Sequence, residues 1–244
     1  MLKPSLEEVK ALAKQYNTIP VFYEFSADNQ TPLNIYTALS KDSRNSFILE
    51  SVSNGVQWDR YSFVGVSPKE EICITGNTAE IRTGDKIETK EVEQPIAFLK
   101  ERMAAYRSPV LEGAPNFTGG LIGYFGYDTV RYMEKKLTHV PEDDIHMPDC
   151  HLFLYEELLA YDHLTSNGIV ILNLHTDGDL GAQYAAAQWR AEELADIVRH
   201  YNPQPQVRQH HGEAVVRSNL TKEQYSQMVR DAKEYIRNGD IFQI

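Results

Sequence analysis

The sequence has 244 residues, 42% hydrophobic and 24% charged. That is enough chain for one large domain or a domain and a half, and the composition excludes collagenous, low-complexity and disordered proteins. With 35 Asp and Glu against 24 Lys and Arg, the formal net charge is −11; such a surface repels phosphate backbones and anionic lipids, so no nucleic acid and no membrane is expected as a partner. An anionic small substrate needs only local positive charge and stays open. No apolar run approaches the ~18 residues of a membrane span, and residues 1–8 lack the apolar stretch of a signal peptide. Cys73 and Cys150 make neither a CxxC pair nor a disulfide framework and read as small core residues. A cytoplasmic protein is expected.

In chain order, Ser5 and Glu8 make a capping box ahead of Leu6, Val9, Leu12, Ala13 and Tyr16, whose spacing predicts a helix. The run 21–25 behind Pro20 predicts a strand. Thr31 and Pro32 read as an N-cap and a first-turn proline, opening a helix that ends near Leu39. Strands are then expected over 46–51, 58–66 and 71–75; turns at Gly76-Asn77 and Gly84-Asp85 make 71–89 a meander. Pro95 opens a helix with Ile96, Leu99, Met103 and Tyr106 on its buried stripe. Residues 150–162 read as one long strand, joined by a turn at 163–167 to another over 168–175. A helix over 180–200 places Tyr184, Ala187, Trp189, Ala191, Leu194, Ile197 and Val198 mostly on one side.

The composition changes at 202–213, which is rich in Pro, Gln and His and has no apolar periodicity; this predicts a linker between residues 1–201 and 214–244. Beyond it, Thr221 and Gln224 form a second capping box, Tyr225, Met228, Val229, Ala232 and Ile236 form one stripe, and Gly239 ends the helix in a left-handed conformation. Residues 240–244 are expected to begin an apolar strand. A chain ending inside a strand reads as truncated.

Chemistry is sparse at the level of pattern. The run Gly119-Gly120-x-x-Gly123-x-x-Gly126 is neither a Walker loop nor a dinucleotide fingerprint, and its glycines read as a strand closely approached by another group. Eight histidines, with His210-His211 in the linker, make no HExxH and no Cys/His quartet, so no zinc site is expected. Glu142-Asp143-Asp144 reads as a solvated loop face, and Glu156-Glu157 interrupts the long strand so that one carboxylate faces outward. No Ser, Cys or His carries the pattern of an activated nucleophile. One constellation stands out. Glu50-Ser51 closes one strand and Arg60-Tyr61-Ser62 opens the next, around a turn at Asn54-Gly55. Glu50 can take the α-ammonium of a zwitterion, and Arg60 with a serine hydroxyl or backbone N–H its α-carboxylate. The same residues also fit an exposed cross-strand Glu–Arg pair.

Several phrases resemble component I of anthranilate synthase: Ile48-Leu49-Glu50-Ser51, the stretch 58–65 from Trp58 to Gly65, Phe117-Thr118-Gly119-Gly120, the stretch 123–128 with Arg131-Tyr132, and the closing stretch 232–244. They follow the family's order and spacing over essentially the whole chain. The resemblance implies an α+β fold of two orthogonally packed antiparallel sheets flanked by helices, incomplete here because members run to roughly twice this length. It implies conversion of chorismate to anthranilate with release of pyruvate. Ammonia would come from a glutamine amidotransferase subunit, Mg2+ would neutralise the substrate carboxylates, and tryptophan would inhibit from a separate site. The family's acid/base and Mg2+-binding carboxylates lie in the half downstream of Ile244, so no catalytic residue and no metal ligand is expected in this chain, which should be inactive alone. The regulatory site does carry over. The family's tryptophan-contacting triplet matches Leu49, Glu50 and Ser51, and a basic contact matches Arg60, where members differ between Lys and Arg. Ile48 stands where many members have Leu, and the segment that closes over the indole belongs to the other half.

Aminodeoxychorismate, isochorismate and salicylate synthases share that scaffold, and aminodeoxychorismate synthases can keep a tryptophan pocket. The 58–65 and 118–132 phrases favour anthranilate synthase. A non-catalytic amino-acid-binding module is the alternative of another class; it would end at the Pro-Gln linker, which this chain runs past.

Overall fold

The computed structural model describes residues 1–50, 60–134, 136–140, 142–203 and 215–244. The chain divides into two units, Met1–Pro203 and Gln204–Ile244. Capping sets the helix starts. The Ser5 hydroxyl accepts the Glu8 amide, and the Glu8 carboxylate accepts the Ser5 amide, ahead of α1 (Leu6–Leu12). Thr31 accepts from the Asn34 amide to open α2 (Pro32–Leu39). α3 (Pro95–Ala104) begins on proline, and Asp179 caps α4 (Leu180–Arg199) through the amides of Gly181 and Ala182.

Among the described residues of the first unit, ten strands form two antiparallel five-stranded sheets. One sheet has the order β1-β10-β9-β3-β2, from β1 (Thr18–Ser26), β2 (Ser46–Leu49), β3 (Tyr61–Val66), β9 (Glu157–Asp162) and β10 (Asn167–His175). The other has the order β6-β5-β4-β8-β7, from β4 (Glu70–Thr75), β5 (Thr78–Thr83), β6 (Lys86–Glu91), β7 (Gly120–Phe125) and β8 (Cys150–Tyr155). The fold is α+β, two antiparallel sheets with flanking helices, as the resemblance implies. Pro20 sits in β1, an edge strand, where its missing N–H breaks no ladder. The meander turns fall at Gly76 and Gly84, with φ of 57° and 58°, a conformation that side chains disfavour. The outermost strand β6 is exposed throughout and carries Lys86, Glu88 and Lys90, charges that discourage further pairing.

Among the described residues, three clusters make the core. The first packs α1, α2 and α4 on one face of the first sheet, through Val9, Ile35, Ala191, Leu194 and Val198 against Val21, Leu159, Val170 and Leu172. The second backs the other sheet, Ile72, Ile74, Ile81 and Leu152, with Leu99 of α3. The third lies between the sheets, where Leu158, Ala160, Ile169 and Ile171 of the first meet Tyr155, Ile122 and Phe153 of the second. β10 is therefore covered on both faces, Val170 and Leu172 toward the helices and Ile169 and Ile171 toward the other sheet, which accounts for its unbroken apolar run.

Three expectations need correction. Residues 150–162 are two strands, not one: β8 and β9 belong to different sheets, and the chain crosses between them at Glu156. Apolar residues continue on both sides of the bend, so periodicity does not reveal the change of sheet. On α4, Trp189 is 66% and Ile197 42% exposed, while Ala187, Ala191, Leu194, Ala195 and Val198 are buried. At about 100° per residue, Trp189 lies about 200° around the axis from Ala187 and so faces away from the core. In the second unit, α5 (Lys222–Asn238) has both capping-box bonds and a left-handed Gly239, but residues 240–244 are not a strand. A strand needs a neighbour for its backbone groups. The turn expected at Asn54-Gly55 and most of the expected 202–213 linker, residues 204–213, lie outside the described residues.

Candidate functional site

The β2–β3 hairpin carries the sequence-derived site. Its register pairs Ser46 with Val66 and Leu49 with Phe63. Leu49 closes β2 and is 45% exposed, Glu50 follows it and is exposed, and Ser51 lies outside the described residues. Arg60 precedes β3, and its ion pair is with Asp162 at the end of β9. Nε donates to Oδ1 at 3.0 Å and Nη2 to Oδ2 at 2.7 Å, a two-point contact that fixes the guanidinium plane. Asp162 is buried. It also accepts the Leu164 amide and the Thr165 hydroxyl, both at 3.0 Å, so the β9–β10 turn closes around it. Burial pushes the Asp162 carboxyl up, but Arg60, the Leu164 amide and Thr165 outweigh it and hold its pKa below the ordinary value. The bond to Asp162 in turn raises Arg60, which lies 4.9 Å from the Tyr61 ring centroid. Beside this pair, the Ser62 hydroxyl and His163 Nε2 are 2.8 Å apart, tying β3 to the same turn.

Asp162 had little signal in the sequence. It ends an apolar strand just before turn residues, where a carboxylate is ordinarily exposed, and its partner is 102 positions away. Glu50, Arg60 and Asp162 thus belong to one end of the first sheet, built from the end of β2, the start of β3 and the β9–β10 turn.

The remaining candidates have structural roles. The glycine-rich run becomes β7, and a Cβ at Gly123 would lie 2.0 Å from the His151 carbonyl oxygen, so the glycine permits close strand pairing rather than cradling a phosphate. Within the phrase around Arg131-Tyr132, the Arg131 Nε donates to Asp128 at 2.9 Å and the Tyr132 hydroxyl to Asp149 at 2.6 Å. Asp149 also accepts the Gly76 amide, which fastens this segment to the β4–β5 turn. Cys73 and Cys150 sit on neighbouring strands β4 and β8, both as free thiols. Burial, followed by the Asp149 charge, pushes the Cys150 thiol up to about 11, which makes it inert at neutral pH. The acids at 142–144 are exposed, and Asp143 is used in its own turn, accepting the His146 amide at 2.8 Å. Among the described residues no three His, Cys, Asp or Glu side chains converge on a possible metal position, and no helix is long and apolar enough to cross a membrane.

Residues 59–244 match the family of chorismate binding enzymes. The whole chain is similar to proteins named anthranilate synthase component 1. The protein of Acetivibrio thermocellus is 38% identical, over 100% of this chain and 50% of that protein. The protein of Pseudomonas aeruginosa is 36% identical, over 98% of this chain and 49% of that one. A solved structure of anthranilate synthase component I from Streptococcus pneumoniae aligns with a TM-score of 0.49 at 25% identity, over 86% of this chain and 44% of that one. The chain spans about half the length of the curated relatives it matches. With its match running from residue 59 to residue 244, the chain belongs to the chorismate-binding enzyme family.

Proposed function

We propose that this chain is part of the large component of an anthranilate synthase, a lyase of tryptophan biosynthesis that converts chorismate and ammonia to anthranilate and pyruvate. The observation that carries the reading is the 38% identity along the entire chain to a protein of that name, inside the chorismate-binding family. In this reading ammonia comes from a glutamine amidotransferase subunit, and the enzyme works in the cytoplasm. Mg2+ neutralises the substrate carboxylates, but the described residues gather no donor set for it, so no step through the ion is assigned to this chain.

The part assigned here is regulatory. Leu49, Glu50, Ser51 and Arg60 are read as the tryptophan-binding end of the first sheet. Glu50 offers a carboxylate to the α-ammonium, and Arg60, oriented by Asp162, presents a positive group near the α-carboxylate. Two features support this: Glu50 is exposed at the mouth of the hairpin, and the Arg60 guanidinium is fixed by two bonds rather than free to wander.

The test uses the intact protein with chorismate, Mg2+ and ammonia. Anthranilate fluorescence that appears with time and is suppressed by tryptophan is the expected result. Formation of 4-amino-4-deoxychorismate, isochorismate or salicylate instead would move the chain to another branch of the family. Tryptophan binding without any turnover would leave an amino-acid-binding module.

A further inference from the structure

The turn between β9 and β10 does more than join two strands. Asp162 closes β9, and its bonds to Arg60 are only part of the hold this turn has on the start of β3. The backbone carbonyl of Arg60 accepts the His163 amide at 2.9 Å. Two residues further on, Ser62 is buried and bonded to His163. Within the turn, the Ser166 amide donates to the Asp162 carbonyl at 2.8 Å. Ser166 has a φ of 56°, a left-handed conformation that side chains disfavour and that persists only where the surroundings impose it. Arg60 is thus gripped at its carbonyl, at Nε and at Nη2, and its guanidinium lies over the Tyr61 ring.

The edge that Asp162 takes decides what Arg60 can offer a ligand. A guanidinium carries its N–H donors in one rigid plane. Asp162 uses the Nε–Nη2 edge, and the Arg60 side chain is 46% exposed. The neighbouring Nη1–Nη2 edge therefore lies in a plane that the turn sets, with two parallel N–H groups, the geometry that pairs with a carboxylate. Asp162 is itself held in place, since its oxygens also accept the Leu164 amide and the Thr165 hydroxyl.

Resting on the reading of Arg60 as the partner of the tryptophan α-carboxylate, we propose that Asp162 and Thr165 are positioning residues of that site. Thr165 and the Leu164 amide hold Asp162, and Asp162 aims the second edge of Arg60 at the carboxylate. The turn then sets selectivity for a ligand that carries a carboxylate, without touching the ligand itself. An arginine without this support would supply charge but no direction. Charge alone is worth little at an exposed position, whereas a two-point contact also selects a planar acceptor.

The test compares L-tryptophan with its carboxamide, which keeps the ammonium and the indole but loses the charged pair of acceptors. Binding of both is measured on the intact protein by calorimetry, and the parent should prefer tryptophan. Asp162→Asn should cut that preference roughly three- to tenfold, part of the loss expected for a bond to a charged group, with the amide bound as before. Thr165→Val leaves Arg60 and Asp162 in the chain and serves if the Asn variant folds poorly. It should move the preference the same way by a smaller factor. Arg60→Gln separates the two levels. If it leaves the preference unchanged, or if the parent binds neither ligand or both alike, neither the site nor its positioning by the turn stands. If Arg60→Gln lowers the preference while Asp162→Asn and Thr165→Val do not, the site stands and the turn does not position it. Equal weakening of both ligands in the turn variants marks a merely structural role and also overturns the proposal.

Discussion

Asp162 has 3% of its side chain exposed, yet it is a carboxylate, and it stays charged only because Arg60, the Leu164 amide and the Thr165 hydroxyl surround it. Replacing it by Asn keeps the shape and removes the charge that answers Arg60. Because Arg60 is half exposed, water can take over part of its solvation. The loss should therefore be that of charge-assisted hydrogen bonds, about 1.5–3 kcal/mol, read as a shift of the urea unfolding midpoint at neutral pH. A change under about 0.5 kcal/mol, as at an ordinary surface site, would show that the pair does not hold the turn. The pH dependence has a definite sign. The folded pKa is depressed below the ordinary 3.8, so the stabilisation is complete above about pH 4 and is lost as pH falls through the lower folded value. The Asn variant should show a shallower loss of stability below pH 4 than the parent. Ser51 is tested through function. If the proposed tryptophan site includes Ser51, Ser51→Ala in the intact protein should remove one hydrogen bond to a charged group of the ligand, worth about 1.5–3 kcal/mol, and weaken inhibition by tryptophan roughly ten- to a hundred-fold. An unaltered inhibition constant rejects Ser51 as a contact.

Strand β7 shows how a local composition becomes an element. Its glycines let the backbone lie against β8, and at Gly123 a methyl group would overlap the His151 carbonyl, a backbone atom that cannot swing aside. Gly123→Ala should thus act as overpacking with backbone displacement, costing about 1–3 kcal/mol or more. The measurement is denaturant unfolding, and a stability within error of the parent would mean that β7 and β8 can separate without loss. Elements of this local kind were legible in the sequence. Both capping boxes, the proline starts of α2 and α3 and the turns at Gly76 and Gly84 depend on residues within a few positions of one another. Features that depend on distant partners were not. The change of sheet at Glu156 follows from packing on β4 and β3, and the pairing of Arg60 with Asp162 spans 102 positions. Trp189 misled for a related reason: an aromatic residue inside an apolar helix suggests burial, whereas only its angle about the axis decides, and that angle turns it outward. At the candidate site, Glu50 and Arg60 stood out by residue type and hairpin spacing, but the buried group that orients Arg60 did not.

In the Met1–Pro203 unit, one continuous segment serves both sheets. β8 completes the second sheet and β9 the first, and the apolar layer between them takes Leu158, Ala160, Ile169 and Ile171 from one side and Tyr155, Ile122 and Phe153 from the other. The crossing itself is braced by Lys69, which starts from the second sheet's side and bonds Glu156, while His175 reaches Glu156 from the end of β10. Neither sheet covers its inner face without the other, so the two should unfold together rather than as separate cooperative units. Leu158 is a sensitive probe, being 1% exposed in the shared layer. Leu158→Ala removes apolar contact and leaves a cavity, for a cost of about 2–5 kcal/mol. Amide hydrogen exchange in the intact protein should then show protection falling by the same free energy in β4 and β8 as in β9 and β10. If β4 and β8 keep the parent's protection while β9 and β10 lose theirs, the second sheet is stabilised by α3 and its own backing cluster, and the layer between the sheets is not what makes them one cooperative body.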